Sequence, residues 1–445
     1  MDELPLTIPT NPIPVPPAPP PDPEQRGRIA LAAGLALLWG TFTLLAQLSG
    51  ALDAFEDPLL DWRLSLSSDA PSNDQLALIA IDEIPPDKPW PWSRLEYSLV
   101  LRSLIDYAPQ SVVFEMSLND RDTDYTSFDA EFSHIVARAN SVVFAATVLT
   151  TPGTNAPPAH VAFIPTVGNA HQVPRFSSGV WPLDTFAGES PIGVNNIVSE
   201  SGLRLRRLPL IFMLNGKVVP SLVLQAAAQF LGADLASSEV QVGRAIFLRG
   251  KDGKLLRTIP IDDQGRMFVR YRLGPSTSWQ VSFDNILLYD YQLQHGIRPD
   301  KDPRAIHKHQ VWIGRTDEAN LGRFKTAVGT LSRVDVQLQA ERTILAQDYV
   351  RQLPPMILAA LYLLVAMAGA ITVVRFGFVH AAAILIVTAA FWFESALIAF
   401  RVYNIILPIP SFAMILLGAF TVGALATFWD LTPEEDTRQL PLDLK

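Results

Sequence analysis

The sequence predicts an α/β domain with a mixed, largely parallel sheet, placed outside the cytoplasm between one N-terminal and three C-terminal transmembrane helices. Only 18% of the 445 residues are charged, below the roughly 25% that is typical of soluble domains. The missing charge is concentrated in four long apolar runs. Residues 53–353, between the first run and the second, begin with strand-like and helix-like segments in alternation, which is typical of a parallel sheet.

The first apolar run covers residues 29–52 and contains no charged side chain. A helix of this length reaches about 36 Å, enough to cross a hydrocarbon core of about 30 Å. A cleaved signal peptide would have a shorter apolar core and would not normally follow a proline-rich leader such as residues 1–28. We therefore interpret the run as an uncleaved membrane anchor, and we expect the leader to be disordered and cytoplasmic.

Three further apolar runs lie at residues 354–374, 376–393 and 402–429. Each is long enough to cross a membrane as a helix. The breaks between the runs are short, so successive helices must form hairpins. Residues 354–429 therefore predict a compact bundle of three transmembrane helices.

Basic residues near the ends of membrane helices set their orientation. Arg26 and Arg28 directly precede the first helix and place the N-terminus in the cytoplasm. Four crossings then put residues 53–353 outside the cytoplasm. The same count puts the short acidic tail, residues 430–445, inside the cytoplasm, where we expect it to be disordered.

The composition excludes several classes of function. The net charge of −9 argues against nucleic acid as a partner, because phosphate binding needs a clustered basic surface. The chain has no cysteine, which excludes disulfides, thiolate metal sites and cysteine nucleophiles. The densest basic cluster is Arg204, Arg206 and Arg207, which we interpret as part of a solvated strand rather than as an anion site.

The first part of the outer domain alternates strands and helices. Strand-like runs occupy residues 75–82, 111–118 and 141–149, and amphipathic helices at residues 95–108 and 129–139 separate them. Such βαβαβ order predicts a parallel sheet with right-handed crossovers and with helices on its faces.

The remainder of the domain predicts a further, partly antiparallel portion. Residues 151–180 are rich in proline and small polar residues and predict a long loop. Beyond the loop, the sequence predicts a helix over residues 221–231 and a short strand over residues 310–314. A last helix, predicted over residues 333–348, leads toward the membrane.

The order and spacing of these motifs resemble a known family. FEDPLLDWRL follows the first helix, and LALIAIDEIPPDKPWPWSRLEYSLVLRSL and VVFEMSLND contain the first two strands. PIGVNNIVSESGLRLRRLPLIFMLNGKVVPSLVLQ, VRYRLGPSTSWQVSFDNIL, VWIGRTDEANLGRF and VDVQLQAERTIL follow in order. Over nearly all of residues 53–350 the chain resembles the second type of CHASE domain (cyclases/histidine kinases associated sensory extracellular).

This resemblance implies a bacterial sensory input module outside the inner membrane. In that family the last helices commonly lead to a nucleotide cyclase, a histidine kinase or a protein kinase. The present sequence has no such output domain after its last helices, so we expect a separate signalling partner. Two positions also depart from the family's pattern: Glu115 stands where an aspartate is expected, and Gln339 where a histidine is usual.

Candidate ligand-binding side chains lie at the predicted strand ends. Asp82 and Glu83 end the first strand, and Glu115 lies at or just beyond the end of the second. Because the carboxyl ends of neighbouring parallel strands converge on a crevice, we expect these acids to lie together. Trp92 and Arg94 follow the first strand and would supply an apolar wall and a cation. The alternative is structural: a carboxylate that holds a turn, a packed tryptophan and an arginine in an ion pair.

The sequence gives little support for catalysis or for a cofactor. It contains no glycine-rich phosphate loop and no nucleophile elbow. No histidine lies close in sequence to the acids at the strand ends, and His307 and His309 have no third metal ligand nearby. We therefore predict no catalytic residue, no bound metal and no cofactor.

The leading hypothesis is a membrane-bound sensor that binds a small ligand or a protein outside the cytoplasm and signals through its transmembrane helices. Its expected partners are membrane lipid, an extracytoplasmic ligand and a signalling kinase or cyclase, with homodimerisation left open. One alternative is a structural protein of the cell envelope that binds no ligand. Another is an extracytoplasmic metal-assisted hydrolase that depends on Asp82.

Overall fold

The computed structural model describes residues 23–66, 75–88, 90–122, 125–153, 156–198, 204–317, 319 and 322–429. Most of the predicted leader and the whole predicted tail lie outside the described residues. The chain divides into two compact units. The second unit comprises Asp57–Gln352 and Leu397–Ile406, and the first unit comprises the described residues outside these two segments.

The helices in chain order are α1 (Pro23–Leu48), α2 (Asp53–Ser65), α3 (Arg94–Ile105), α4 (Thr126–Arg138), α5 (Asp184–Ala187), α6 (Leu222–Leu231), α7 (Phe283–Gln294), α8 (Arg333–Ala346), α9 (Pro355–Tyr403) and α10 (Pro410–Phe428). The strands are β1 (Leu76–Ile81), β2 (Ser111–Phe114), β3 (Val142–Leu149), β4 (Thr166–Val167), β5 (Arg175–Phe176), β6 (Ser178–Val180), β7 (Ile192–Val194), β8 (Arg207–Pro209), β9 (Ile211–Leu214), β10 (Lys217–Pro220), β11 (Ala233–Gln241), β12 (Ala245–Gly250), β13 (Leu255–Pro260), β14 (Arg266–Phe268), β15 (Trp279–Ser282), β16 (Gln310–Arg315), β17 (Arg323–Thr326), β18 (Gly329–Ser332), β19 (Arg351–Gln352) and β20 (Ile405–Ile406).

The first unit is built from the long apolar helices α1, α9 and α10, each long and apolar enough to cross a membrane. Gly377 has φ 74° and ψ 170° and divides α9 into two helices, because glycine adopts such a conformation at little steric cost. The predicted set of one N-terminal and three C-terminal apolar helices is therefore confirmed. The last of them, α10, begins at Pro410, a favourable residue for the first turn of a helix.

Small residues allow the helices of the first unit to approach closely. The buried positions of α1 and α9 include several alanines, namely Ala32, Ala36, Ala366 and Ala370. A Cβ atom added at Gly418 of α10 would overlap Nε1 of Trp39 in α1. That nitrogen donates a 3.0 Å hydrogen bond to the carbonyl of Met414. Small residues at such contacts are typical of helices that pack in a membrane.

The main sheet of the second unit is mixed and largely parallel, as predicted. Its strand order is β15–β1–β16–β2–β3–β6, and β7 also pairs with β3. All of these pairs are parallel except β3–β6. The predicted βαβαβ segment is confirmed as β1, α3, β2, α4 and β3. The late strand β16 lies between β1 and β2, with Trp312 opposite both Leu78 and Val113.

Helices cover both faces of this sheet. On one face, Leu78 and Trp312 pack in a core with residues of α6 and α8. On the other face, Ile79 and Phe114 pack in a second core with residues of α3 and α4. Burial on both faces explains why β1 reads LALIAI, with all six residues buried and no polar alternation.

The predicted antiparallel portion is also confirmed. Strands β11, β12 and β13 form an antiparallel meander, and β9 and β10 form a hairpin. The hairpin turns at Asn215 and Gly216, which both have positive φ, as the common two-residue hairpin turn requires. The predicted loop over residues 151–180 is less irregular than expected, because the short strands β4, β5 and β6 lie within it.

The interpretation of the arginine cluster as part of a solvated strand is wrong for Arg206, whose side chain is only 13% exposed, whereas Arg204 is exposed. The Arg206 guanidinium donates two 2.8 Å hydrogen bonds to the Asp61 carboxylate and one of 2.8 Å to Asp57, both on α2. Arg204 also lies 3.4 Å from Asp61, whereas Arg207 points to Asp262 at 3.3 Å. Arg204 and Arg206 therefore both face α2, and Arg207, the first residue of β8, faces Asp262.

Gly193 lies in β7 where the sheet meets the beginning of α6. An added Cβ atom would lie 2.5 Å from Cα of Leu222 and 2.9 Å from Cβ of Gln225. Because a helix backbone cannot move away locally, we expect Gly193→Ala to lower the free energy of unfolding by about 3 kcal/mol, at the upper end of overpacking effects. Thermal unfolding in detergent would measure the loss. Gly34→Ala, where a Cβ meets nothing within 4 Å, is the control, and equal melting temperatures for both variants would contradict this expectation.

Candidate functional site

The C-terminal edge of the main sheet holds several of the predicted site residues. Parallel strands end at the same edge, so the side chains that follow them gather there. Asp82 and Glu83 follow β1, Glu115 follows β2, and Arg315 is the last residue of β16. This edge, which we call the strand-end edge, therefore combines the carboxylates of Asp82, Glu83 and Glu115 with at least one arginine, Arg315.

The structure does not make Asp82 and Glu115 neighbours. Strands β1 and β2 each pair with β16, so the residues that follow them are two strand spacings apart, about 10 Å. The expectation that these two strands end side by side is therefore wrong. It fails because residues 310–315, from much later in the chain, form a strand between them.

Asp82 and Glu83 are both exposed to solvent. The Asp82 carboxylate accepts a 2.5 Å hydrogen bond from the hydroxyl of Ser282, the residue that directly precedes α7. This contact connects the end of β1 to the beginning of α7, which is a structural contact of another kind than the turn weighed for Asp82. The Glu83 side chain is exposed at the same edge.

Trp92 is packed in the core. Its ring centroid lies 5.2 Å from that of Phe283, and its Nε1 donates a 3.0 Å hydrogen bond to the carbonyl of Lys88. The Lys88 ammonium lies 4.6 Å from the centre of the same ring. The half-buried Trp90 contacts the strand-end edge instead, because the Arg315 guanidinium lies 4.8 Å from its ring centre.

Arg94 is enclosed at the beginning of α3. Its backbone N–H donates to the Asp122 carboxylate, and its guanidinium donates a 2.5 Å hydrogen bond to the carbonyl of Asp120. The same guanidinium lies 3.7 Å from Asp129 of α4 and 5.6 Å from the ring centre of Phe186. These contacts join α3, α4 and the segment that follows β2, which matches the ion-pair alternative for Arg94.

Glu115 is the buried acid of the strand-end edge, with only 4% of its surface exposed. Its Oε1 makes no hydrogen bond to the described residues and lies 3.6 Å from Nε of Arg333, the first residue of α8. Burial raises the pKa of Glu115 to about 7, and the positive charges of Arg333 and Arg315 oppose that rise. The Glu115 carboxyl therefore changes its charge near neutral pH.

A buried polar row beside Glu115 was not predicted from the sequence. Asn195, which follows β7, donates a 2.9 Å hydrogen bond to the carbonyl of Glu115 and accepts one of 2.9 Å from Thr147. The Thr147 hydroxyl also lies 3.0 Å from that of Ser117, and Gln337 of α8 donates to the Asn195 carbonyl at 3.3 Å. Buried amides need such partners. The adjacent asparagines after a short apolar strand were the available sequence signal.

A second polar cluster, also not predicted, lies where residues 397–406 join the second unit. Arg270 donates to the side-chain oxygen of Asn404, and Asn404 donates a 2.5 Å hydrogen bond to Asp348. Asp348 pairs with Arg272 at 2.5 Å, and the Arg270 guanidinium lies 4.9 Å from the ring centre of Phe400. We call these five residues the membrane-proximal cluster.

Gln339 connects α8 to the membrane-proximal cluster. It is buried, and its side-chain nitrogen donates a 3.3 Å hydrogen bond to the carbonyl of Arg272. Its side-chain oxygen has no hydrogen-bond partner among the described residues. Two positions depart from the pattern of the resembled family, Gln339 and Glu115. Gln339 lies beside Arg272, whereas Glu115 follows β2 at the strand-end edge.

Two cavities lie away from the strand-end edge. One of about 90 Å³ is lined by residues that include Pro109, Val112 and Asn140, near the opposite ends of β2 and β3. Another, of about 390 Å³, is an open groove lined by residues that include Arg175 and Asn215. Within the described parts of the chain, no three histidine, aspartate or glutamate side chains are placed to hold a metal ion.

Comparison with known proteins adds one match. The family model described as the CHASE2 domain matches residues 33–372, about three quarters of the chain. The matched region begins within α1, contains the main sheet, and ends within α9. No curated protein and no solved structure gives a significant match.

Proposed function

We propose, from the premise that this chain belongs to the CHASE2 domain family, that it is a sensor of a bacterial inner membrane whose second unit lies on the extracytoplasmic side. The family is one of extracellular sensory domains, which is the observation that carries the proposal. The four apolar helices support a multi-pass anchor. Because this family is sensory rather than catalytic, the match to it also supports the prediction that the chain is not an enzyme.

The proposed input site is the strand-end edge. Asp82 and Glu83 are exposed and would meet a ligand first, whereas Glu115 would respond through its buried charge. Trp92 and Arg94 would shape the edge from the core, because both are already held by other side chains. The excess of carboxylates favours a ligand that carries positive charge or several hydrogen-bond donors.

The proposed output route is the membrane-proximal cluster. Three chain segments that lead into apolar helices meet within the second unit: α2, the residues that follow α8, and residues 397–406. β19 pairs with β20, with Arg351 donating a 2.8 Å hydrogen bond to the Asn404 carbonyl. Leu60 and Leu64 of α2 share an apolar cluster with Phe400. A change of packing in the domain would therefore reach all three segments together.

We further propose that the signal passes to a separate kinase or cyclase. The test is photo-crosslinking in the native membrane, with the crosslinker at Leu417, an exposed position of α10. We expect capture of a signalling protein, and we expect Asn404→Ala to change the yield severalfold, because Asn404 bridges Arg270 and Asp348. The matched control places the crosslinker at Leu417 in a chain that carries Asn215→Ala, a substitution in the β9–β10 turn that removes none of the contacts of the cluster.

The alternative proposal is a structural protein of the cell envelope. It predicts that the crosslinker captures only other copies of the chain or envelope components, and that Asn404→Ala leaves their yield unchanged. That outcome would overturn the sensor proposal. Capture of a kinase or cyclase in a yield that changes with Asn404→Ala would overturn the proposal of a structural envelope protein.

A further inference from the structure

The helix α2 carries an exposed apolar stripe. Its members recur at intervals of four, three and four residues, which places them along one line of an α-helix. They are Phe55, Leu59, Trp62 and Leu66, the last of these just beyond the helix end. Phe55 is 66% exposed, and Trp62 and Leu66 are each 41% exposed. Leu59 is half-buried.

The opposite side of α2 is the side that packs against the protein. Leu60 and Leu64 are buried in an apolar cluster, and Asp61 accepts the Arg206 guanidinium. Arg63 is buried with its guanidinium 5.8 Å from the ring centre of Phe400. This arrangement reverses that of an ordinary surface helix, whose charged residues face water and whose apolar residues face the core. The exposed part of the stripe therefore favours cover by another apolar medium.

The position of α2 in the chain identifies that medium. α1 ends at Leu48 and α2 begins at Asp53, so only residues 49–52 connect them. The connection is a tight turn in which the N–H of Ala51 bonds to the carbonyl of Ala46 and the N–H of Asp53 bonds to that of Gly50. The five Cα–Cα steps from Leu48 to Asp53 span at most about 18 Å, and the two helical steps from Asp53 to Phe55 add about 3 Å. The stripe thus begins within about 21 Å of the end of an apolar helix.

We propose that α2 lies in the interfacial layer of the membrane, with Phe55, Leu59, Trp62 and Leu66 in contact with lipid. Aromatic side chains such as Phe55 and Trp62 suit this layer. A second copy of the chain is a weaker occupant, because four partly exposed side chains present roughly 400 Å², about half of what each partner buries in a stable interface. Contact of α2 with lipid requires neither a ligand at the strand-end edge nor a signalling partner.

The absence of cysteine from the chain makes a direct test available. Single cysteines at Phe55→Cys and Trp62→Cys would carry a nitroxide spin label on the full chain in phosphatidylcholine vesicles. Ala54→Cys is the matched control, since Ala54 is exposed but lies about 100° around the helix from Phe55. The measurement compares relaxation of each label by oxygen, which concentrates in lipid, with relaxation by a water-soluble nickel chelate.

We expect the ratio of oxygen to nickel relaxation to be severalfold higher at residues 55 and 62 than at residue 54. Equal ratios at the three positions would place the stripe in water and overturn the proposal. Spin–spin broadening at residue 62 that disappears on dilution with unlabelled chain, together with disulfide formation by the unlabelled Trp62→Cys variant, would assign the stripe to a second copy and would equally overturn it. The substituted positions are at least partly exposed, so loss of folding is not expected to confuse the result.

Discussion

Replacing Arg206 by alanine is expected to lower the free energy of unfolding by about 3 kcal/mol, the lower part of the range for breaking a buried ion pair. Only 13% of the Arg206 side chain and 7% of the Asp61 side chain are exposed. Although burial lowers the pKa of Arg206, the hydrogen bonds and charges of Asp61 and Asp57 raise it above its usual value. Removal of the guanidinium would leave Asp61 buried, with Arg204 at 3.4 Å as its remaining ion-pair partner among the described residues.

Urea unfolding of the detergent-solubilised chain, read by pulse proteolysis, would measure this loss. The matched control is Arg304→Ala, because Arg304 also pairs bidentately with an aspartate, Asp302, but is exposed. No measurable loss is expected for the control. The double variant Asp61→Ala/Arg206→Ala should be more stable than Arg206→Ala alone, since it leaves no buried charge at residue 61. Equal losses of unfolding free energy in Arg206→Ala and Arg304→Ala would mean that the ion pair between Arg206 and α2 does not stabilise the fold.

Replacing Glu115 by glutamine is expected to stabilise the protein at alkaline pH and to leave its stability unchanged at acid pH. Burial raises the pKa of Glu115 from 4.5 to about 7, so the folded protein binds this proton more tightly than the unfolded chain does. Stability from this group is therefore full below pH 4.5, falls as the pH rises toward 7, and levels off above it. The difference between the two pKa values corresponds to about 3 kcal/mol.

The measurement is the difference in unfolding free energy between Glu115→Gln and the unchanged protein from pH 4.5 to pH 8.5. We expect it to grow from near zero to about 3 kcal/mol in favour of the variant. Glu83→Gln, an exposed acid at the same edge, is the control and should show no comparable growth. A difference that stays constant across this range would mean that Glu115 is ionised throughout, stabilised by Arg333 and Arg315 more strongly than its burial opposes.

The apolar helices and the order β1, α3, β2, α4 and β3 followed from the sequence because each of these elements depends on neighbouring residues. The uncharged runs determined the apolar helices, since burying charge in hydrocarbon is costly. The apolar segments 75–82, 111–118 and 141–149 determined three parallel strands, because a strand covered on both faces has no polar alternation. Asp82 and Glu115 were correctly placed at strand ends for the same local reason.

The neighbours of those residues were decided only by tertiary structure. The insertion of β16 between β1 and β2 separates Asp82 from Glu115, and it depends on pairing across roughly two hundred residues. The partner of Arg206 lies 145 positions away at Asp61, and that of Arg270 lies 134 positions away at Asn404. Local propensity carries no information on such contacts. Burial, which sets both the pKa of Glu115 and the strength of the Arg206 ion pair, exists only once distant segments pack together.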